Sequence, residues 1–270
     1  MASSPDVARR EPTVALAFGA LPFLFVVALP LLALLLFLDP REALGHLRSE
    51  TALRALLLTL RTTTVATAVC AAIGIPMALL LARRRFPGRV LLDTIVDLPI
   101  AVPPVVAGVS LLLTFGRFGL LGRTLEIFGI HVPFTATAVV LAQVFMASPF
   151  LVRSARAGFE AVDPRLEQAA RTLGAGEARV VRTVTIPLAF PSLAAGLVLT
   201  WARALSEFGA TITFAGNFPG RTQTLPLAVM SALESDLPTA VAISALSIVL
   251  AAAALLLTRA LAHRASLPGF

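Results

Sequence analysis

Charged residues in this chain are confined to short stretches between long apolar runs. The first run, Val14–Leu38, extends for 25 residues without a charge. Further uncharged runs follow at Thr62–Ala82, Leu98–Phe115, Val132–Val152, Thr183–Ala202 and Leu237–Thr258. Each approaches the ~20 residues that an α-helix needs to cross about 30 Å of hydrocarbon. Backbone amides find no water there, so helices that satisfy them internally are the natural solution. The pattern predicts an all-α integral membrane protein with about six transmembrane helices, the first at about 14–38, and residues 1–270 forming a single transmembrane domain. The first run exceeds the ~7–15 residues of a secretory h-region, which predicts a retained helix rather than a cleaved signal. The third run is the shortest and contains Pro103 and Pro104, which predicts a kink or a discontinuous helix. Six spans place both termini on one side.

Composition agrees and removes several chemistries. The chain is 57% hydrophobic and 14% charged, with a mean hydropathy of +0.89, values of the membrane class. All 22 basic residues are Arg. Without lysine there is neither a phosphate-binding loop of the Gly-rich Lys-Ser/Thr type nor a Schiff-base nucleophile. Cys70 is the single cysteine and lies in an apolar run, so no intrachain disulfide forms. His46, His131 and His263 are scattered, which argues against a clustered metal site. A net charge of +7 can point to nucleic acid, but here the Arg residues sit in short loops, so topology explains them better.

Arg placement also orients the chain. With the N-terminus inside, the cytoplasmic set is Arg9, Arg10, Arg83, Arg84, Arg85, Arg89, Arg153, Arg156, Arg165, Arg171, Arg179, Arg182, Arg259 and Arg264. The outer set is Arg41, Arg48, Arg54, Arg117, Arg123 and Arg221, leaving Arg61 and Arg203 within helices. Fourteen against six favours an N-in, C-in arrangement.

The longest polar interruption, Arg153–Arg182, then falls in the cytoplasm between the fourth and fifth helices. Asp163-Pro164 has the form of a helix start, with Asp as N-cap and Pro at the first helical position. Leu166, Ala169, Ala170 and Leu173 follow at helical spacing, and Gly174 is a natural stop. A helix of ~15 Å that exposes a small apolar face suits a groove on a partner; a helix lying on the lipid surface is the bland alternative, and the residues alone leave both open.

At these residues the chain resembles a known family. Gln168-Ala169-Ala170-x-x-x-Gly174, nine residues, then Val184-x-Ile186-Pro187 is similar to the EAA loop of ATP-binding cassette importer permeases, whose pattern is Glu-Ala-Ala-x-x-x-Gly, nine residues, Ile-x-Leu-Pro. The spacing matches throughout. Gln168 stands where Glu is usual, although Glu167 precedes it, and Val184 and Ile186 are conservative departures. The resemblance covers about residues 50–265. It implies a transmembrane permease domain of the cell membrane, with this loop as the coupling helix docking into a cleft of an ATPase subunit. It further implies a second copy of the chain, two ATP-binding subunits carrying the ATP and Mg, and an extracytoplasmic substrate-binding protein. The chain itself is then no enzyme, and no catalytic residue, metal or cofactor is expected on it.

A second stretch, Arg203-Ala-Leu-Ser-Glu207-Phe-Gly-Ala-Thr-Ile-Thr-Phe-Ala-Gly-Asn217-Phe-Pro-Gly-Arg221-Thr-Gln-Thr-Leu-Pro226-Leu-Ala, resembles the molybdate branch of these permeases. Leu98-Pro99-x-x-x-Pro103-Pro104-x-x-x-Gly108 is similar to the same group. Sulfate and thiosulfate permeases are sisters with a related Glu-Phe-Gly or Glu-Tyr-Gly turn. Molybdate and tungstate oxyanions match in charge and nearly in size, so the residues do not separate them.

Physical roles follow for the intramembrane polar residues. Charges within helices cost ~2.5–3.5 kcal/mol on insertion scales, so Arg61, Arg203 and Glu207 should face protein or water, or, for Arg61, the outer interface. Arg203 and Glu207 are four apart and can pair on one helix face. One reading lines the pathway with them; a structural ion pair is favoured, because a carboxylate repels oxyanions. Ser206, Thr211, Thr213, Asn217, Thr222 and Gln223 can donate hydrogen bonds to an oxyanion or can satisfy turn backbone. Gly209, Gly216 and Gly220 with Pro219 predict a tight outer re-entrant or turn segment. Pro103, Pro104 and Gly108 either form a gating kink or shape packing. An ion-coupled carrier or channel would need intramembrane acids, and Glu207 is the only one well inside the expected spans. No repeat between the halves supports an inverted-repeat carrier.

Overall fold

The computed structural model describes residues 11–37 and 39–265, and among them every regular element is helical. A long first helix, α1 (Glu11–Leu36), is followed by the short α2 (Pro40–Leu47) and the 34-residue α3 (Glu50–Arg83). Next come α4 (Arg89–Ala101), α5 (Pro104–Phe115), α6 (Gly122–Ile127) and α7 (Ala136–Ala161). A short α8 (Pro164–Thr172) precedes α9 (Glu177–Val180), which runs through a π-helical turn (Val181–Thr185) into α10 (Ile186–Leu205). The chain closes with α11 (Gly209–Ala215), α12 (Leu225–Leu233) and α13 (Leu237–Ala265).

Among the described residues, four rods are long and apolar enough to cross a membrane: α3, α7, the Glu177–Leu205 rod and α13 through Ala260. Two bent pairs raise the number to six, α1 with α2 at 89° and α4 with α5 at 116°. The described residues thus hold four to six candidate spans, and the expected six are reached when each bent pair counts as one broken span. Leu38, the end of the expected first span, and Arg9 and Arg10 of its orienting charges lie outside the described residues.

Local chemistry explains where the helices start and stop. Asp39, Ser49, Thr135 and Asp163 each place a side-chain oxygen on a first-turn amide of α2, α3, α7 and α8, satisfying donors that have no intrahelical partner. Asp236 does similar work before α13, accepting from Thr239 N at 3.2 Å and Thr239 Oγ1 at 2.5 Å. Those two bonds hold its carboxyl below the usual aspartate range, the hydroxyl contributing most. The break in the third span follows from its prolines. Pro103 restricts Val102 to extended backbone (φ −77°, ψ 129°), which ends α4. Pro104 then begins α5, at a position whose missing N–H costs nothing.

The sequence expectation misplaces several boundaries: α7 runs to Ala161, nine residues past Val152, and the fifth rod begins at Glu177, so both cut into the expected Arg153–Arg182 interruption. The second helix begins at Glu50, not near Thr62, and at 1.5 Å per residue spans about 51 Å. Arg61 is exposed about 33 Å along the axis from Arg83, a separation close to one hydrocarbon thickness. In the third span, the uncharged run Leu98–Phe115 is not one element. Its first residues belong to α4, which starts at Arg89 and carries Asp93 and Asp97.

The helices pack around three apolar centres. One joins α5, α7 and α11 through Ala107, Leu111, Ala142, Met146, Ala210 and Phe214. A second joins the ends of α3 and α7 to α10 through Leu81, Val152, Phe159 and Leu193. The third ties α3 to α12 and α13 through Ala52, Ala55, Leu225 and Ile243. By contrast, α1 turns Phe23, Phe25 and Leu36 outward, as a lipid-facing helix would.

Helices α7 and α10 approach closely through a small-residue seam. A Cβ on Gly158 would sit 2.5 Å from Ser192 Cβ, and one on Gly196 only 2.8 Å from Ser154 Cβ. Ser154 Oγ donates to the Ser192 carbonyl across the seam at 3.0 Å. Such spacing lets backbones pack where lipid offers no hydrophobic drive. Gly158→Leu should force the rods apart at a cost of about 1–3 kcal/mol and lower the melting temperature of detergent-purified protein. Gly158→Ala should cost less, and an unchanged melting temperature in Gly158→Leu would refute the seam.

Candidate functional site

The predicted motif in the Arg153–Arg182 interruption folds as a tethered helix. Asp163 Oδ1 accepts from Arg165 N at 2.9 Å, Pro164 opens α8, and Gly174 takes φ +83° just after it. No side chain crowds Gly174; its left-handed backbone alone selects glycine. Leu166, Gln168, Ala169 and Leu173 are exposed, with Leu173 at 88%. Ala170 is half-buried.

Glu167 points the other way. It is buried, and its Oε1 accepts from Arg83 Nη2 at 2.7 Å and Thr185 Oγ1 at 2.8 Å. Arg171 lies 3.8 Å from its second oxygen. One carboxylate thus fastens α8 to the end of α3 and to the π turn. Proline explains that turn. Pro187 has no N–H and its ring crowds the carbonyl four residues back, so a regular α turn is disfavoured there. The chain widens instead, with the Ile186 N–H reaching the Val181 carbonyl, a local form common at functional positions. Val184 and Ile186 are half-buried, and Pro187 is exposed. Arg84 Nη2 binds Glu177 Oε2 at 2.9 Å, closing one wall of a cavity of about 830 Å³ bounded by α3, α8 and the π turn.

A second centre lies where α5 crosses α11. A Cβ on Gly108 would fall 2.6 Å from Thr213 Cβ, and one on Gly209 only 2.7 Å from Pro104 Cβ. Glu207, 1% exposed, sits at the turn into α11. Its Oε1 accepts from Ala210 N at 2.9 Å, and its Oε2 meets Arg203 Nη2 at 2.9 Å. The two charges pair with each other, and the carboxylate also takes the Ala210 amide of α11. Ser206 Oγ donates to the Arg203 carbonyl at 3.1 Å, and Thr213 Oγ1 to the Gly209 carbonyl at 2.9 Å. Thr211 is buried, and its hydroxyl has no partner among the described residues.

Asn217 is not part of this centre. Its Nδ2 donates to Ser231 Oγ at 2.9 Å, and Gln223 Nε2 reaches the same hydroxyl at 3.2 Å. Thr222 Oγ1 closes the glycine turn, accepting from Phe218 N and donating to the Gly216 carbonyl.

Comparison with known proteins places this architecture. The model of the family "Binding-protein-dependent transport system inner membrane component" matches residues 74–267. The chain belongs to that family. The Molybdenum transport system permease protein ModB of Mycobacterium tuberculosis is 43% identical over 228 residues, covering 84% of this chain and 86% of that protein. The Sulfate transport system permease protein CysT of Salmonella typhimurium is 43% identical over 185 residues, covering 68% and 66%. Among solved structures, a bacterial ABC transporter involved in the import of the acidic polysaccharide alginate aligns with a TM-score of 0.75 at 17% identity, covering 96% of both chains. That likeness shows the fold. As an inner membrane component with several apolar spans, the chain is a multi-pass membrane protein.

Within this transport component, three features escape sequence reading. Helix α12 forms inside what reads as an outer loop, because Thr59 Oγ1 accepts from Leu225 N at 2.8 Å and fixes its start against α3. The paired charges of α4 and α7, Asp93, Asp97, Arg153 and Arg156, stand in separate loops by hydropathy. Gln143 is fully buried on α7, and neither amide atom has a partner among the described residues. Only its isolation in an otherwise apolar run could have drawn notice.

The Glu207 geometry makes a direct prediction. Glu207→Ala strips the partner from Arg203 and the acceptor from α11, and should cost about 3 kcal/mol or more. Glu207→Gln keeps an acceptor for Ala210 N and should cost less. Thermal melting of the purified protein checks the order; Glu207→Ala melting at the temperature of the unsubstituted protein would mean the pair contributes nothing.

Proposed function

We propose that this chain is the membrane-spanning subunit of an ATP-driven oxyanion importer, with molybdate or tungstate as cargo. The observation that carries the cargo is the similarity to ModB along most of both chains, together with the Arg203–Leu227 stretch that resembles the molybdate branch. Sulfate is the second reading, favoured by the similarity to CysT, which spans less of each chain.

In this reading the arginine-rich end is cytoplasmic, both termini are inside, and α8 is the coupling helix. Its exposed strip of Leu166, Ala169 and Leu173 supports docking in a cleft of a separate ATPase subunit. The buried Glu167 would pass the movement of α8 to α3 through Arg83 and to α10 through Thr185. Two copies of the chain, two ATPase subunits and an extracytoplasmic binding protein complete the machine, and ATP with its Mg is held by the partner. Closure of the ATPase pair would open the path toward the binding protein, and hydrolysis would reset it.

The pathway needs no dense arginine cage. Arg203 is neutralised by Glu207, which suits a route that releases its ion. High-affinity capture then belongs to the binding protein.

The complex, purified with its ATPase and binding protein and reconstituted in liposomes, should show ATP hydrolysis stimulated by molybdate or tungstate at least about tenfold more than by equimolar sulfate, a gap of roughly 1.4 kcal/mol. Equal stimulation by sulfate would overturn the cargo, and no stimulation by any of the three would overturn the oxyanion reading.

A further inference from the structure

Helix α4 carries Arg89, Asp93 and Asp97, spaced four apart and therefore on one stripe. The last turns of α7 carry Arg153, Arg156 and Glu160. The helices run antiparallel, and their charges meet in order. Asp97 takes Arg153 in a two-pronged pair, Nε to Oδ1 at 2.6 Å and Nη2 to Oδ2 at 2.7 Å. Asp93 accepts from Arg156 Nη1 with both oxygens, at 2.7 and 2.8 Å. Arg156 Nε also donates to Glu160 Oε1 at 2.8 Å, and Arg89 stands 3.9 Å from that oxygen. Three cations balance three anions, so the ladder has no surplus charge to offer a ligand.

The ladder's side chains are 26–59% exposed, and apolar residues flank them. Val90, Leu91, Ile95 and Leu98 on the outer side of α4 are exposed, while Leu92 and Val96 pack against the core of α3, α7 and α10. Two-pronged guanidinium–carboxylate pairs are directional, and reversing one charge of a rung sets like charges face to face. The ladder fixes the register.

Its position gives this rigidity a use. At one end, α7 passes through Val162 and the Asp163 cap directly into α8. At the other, α4 meets the Pro103–Pro104 elbow, beyond which Pro104 and Gly108 lie against Gly209, Ala210 and Thr213 beside Glu207. We infer that the α4–α7 ion-pair ladder is a rigid strut that carries displacement of α8 to the α5–α11 crossing, with the proline elbow as the hinge. Asp93, Asp97, Arg153 and Arg156 are then positioning residues for transport. This inference rests on the importer reading above.

Two measurements on the reconstituted complex test it. The first is the amount of molybdate transported per ATP hydrolysed in Asp97→Arg, Arg153→Asp and the double exchange. Each single reversal should lower that ratio about tenfold, within the range of ordinary coupling energies, while the ATPase subunits remain bound and hydrolysis continues. The exchange should restore most of it. A ratio that stays at the wild-type value while both rates fall would mean mere destabilisation, and failure of the exchange to rescue would remove the pairing; either overturns the strut. The second uses spin labels at Leu91→Cys and Ala157→Cys in a Cys70→Ala background, without and with trapped nucleotide. The distance should hold within about 2 Å, whereas a change of about one helical turn would refute rigidity. This distance does not depend on cargo. A rigid ladder in a complex that moves no oxyanion would sink the importer reading alone.

Discussion

In hydrocarbon a backbone amide or a charged side chain has no water to fall back on, and each must find its partner within the protein. That constraint makes the chain all-helical among its described residues, and it governs every place where a helix is interrupted. The break at Pro103–Pro104 leaves no N–H to satisfy at the two prolines themselves. The π turn before Pro187 keeps the Ile186 amide bonded to the Val181 carbonyl. At the end of α10, Glu207 answers both Arg203 and the Ala210 amide in the first turn of α11. Each interruption is thus answered by a particular group within the protein.

Two such regions sit at opposite ends of the same helices. Around α8, the buried Glu167 binds Arg83 and Thr185, so the small helix is fastened to two long rods instead of hanging from a loop. Around α11, glycines at 108 and 209 let two short helices touch without intervening side chains. The rods between them are seamed by small residues, as at Gly158 and Gly196, which favours movement as packed bodies over bending within a helix.

Much of this was legible in the sequence for specific reasons. Six apolar runs, the Asp163-Pro164 start and the Gly174 stop are local signals, and local capping and hydropathy decide them. The Arg203–Glu207 pair was legible because four-residue spacing on one helix brings side chains together whatever the tertiary fold. What stayed hidden depends on contacts distant in sequence. Leu225 begins a helix because Thr59 meets its amide, 166 residues away in the chain. Asp93 and Asp97 read as residues of a polar loop until Arg156 and Arg153 are seen opposite them. Glu167 looked like the neighbour of a docking position, and only the end of α3 shows that it faces inward.

The proposed docking of α8 on an ATPase at the cytoplasmic face is open to a direct measurement. In a Cys70→Ala background, Ala169→Cys should cross-link to the co-expressed ATPase subunit, and Gly220→Cys should react with an impermeant thiol reagent applied to the outer face of the membrane. Labelling of Ala169→Cys from the outer face, with no cross-link to the ATPase, would contradict the orientation and the coupling role together.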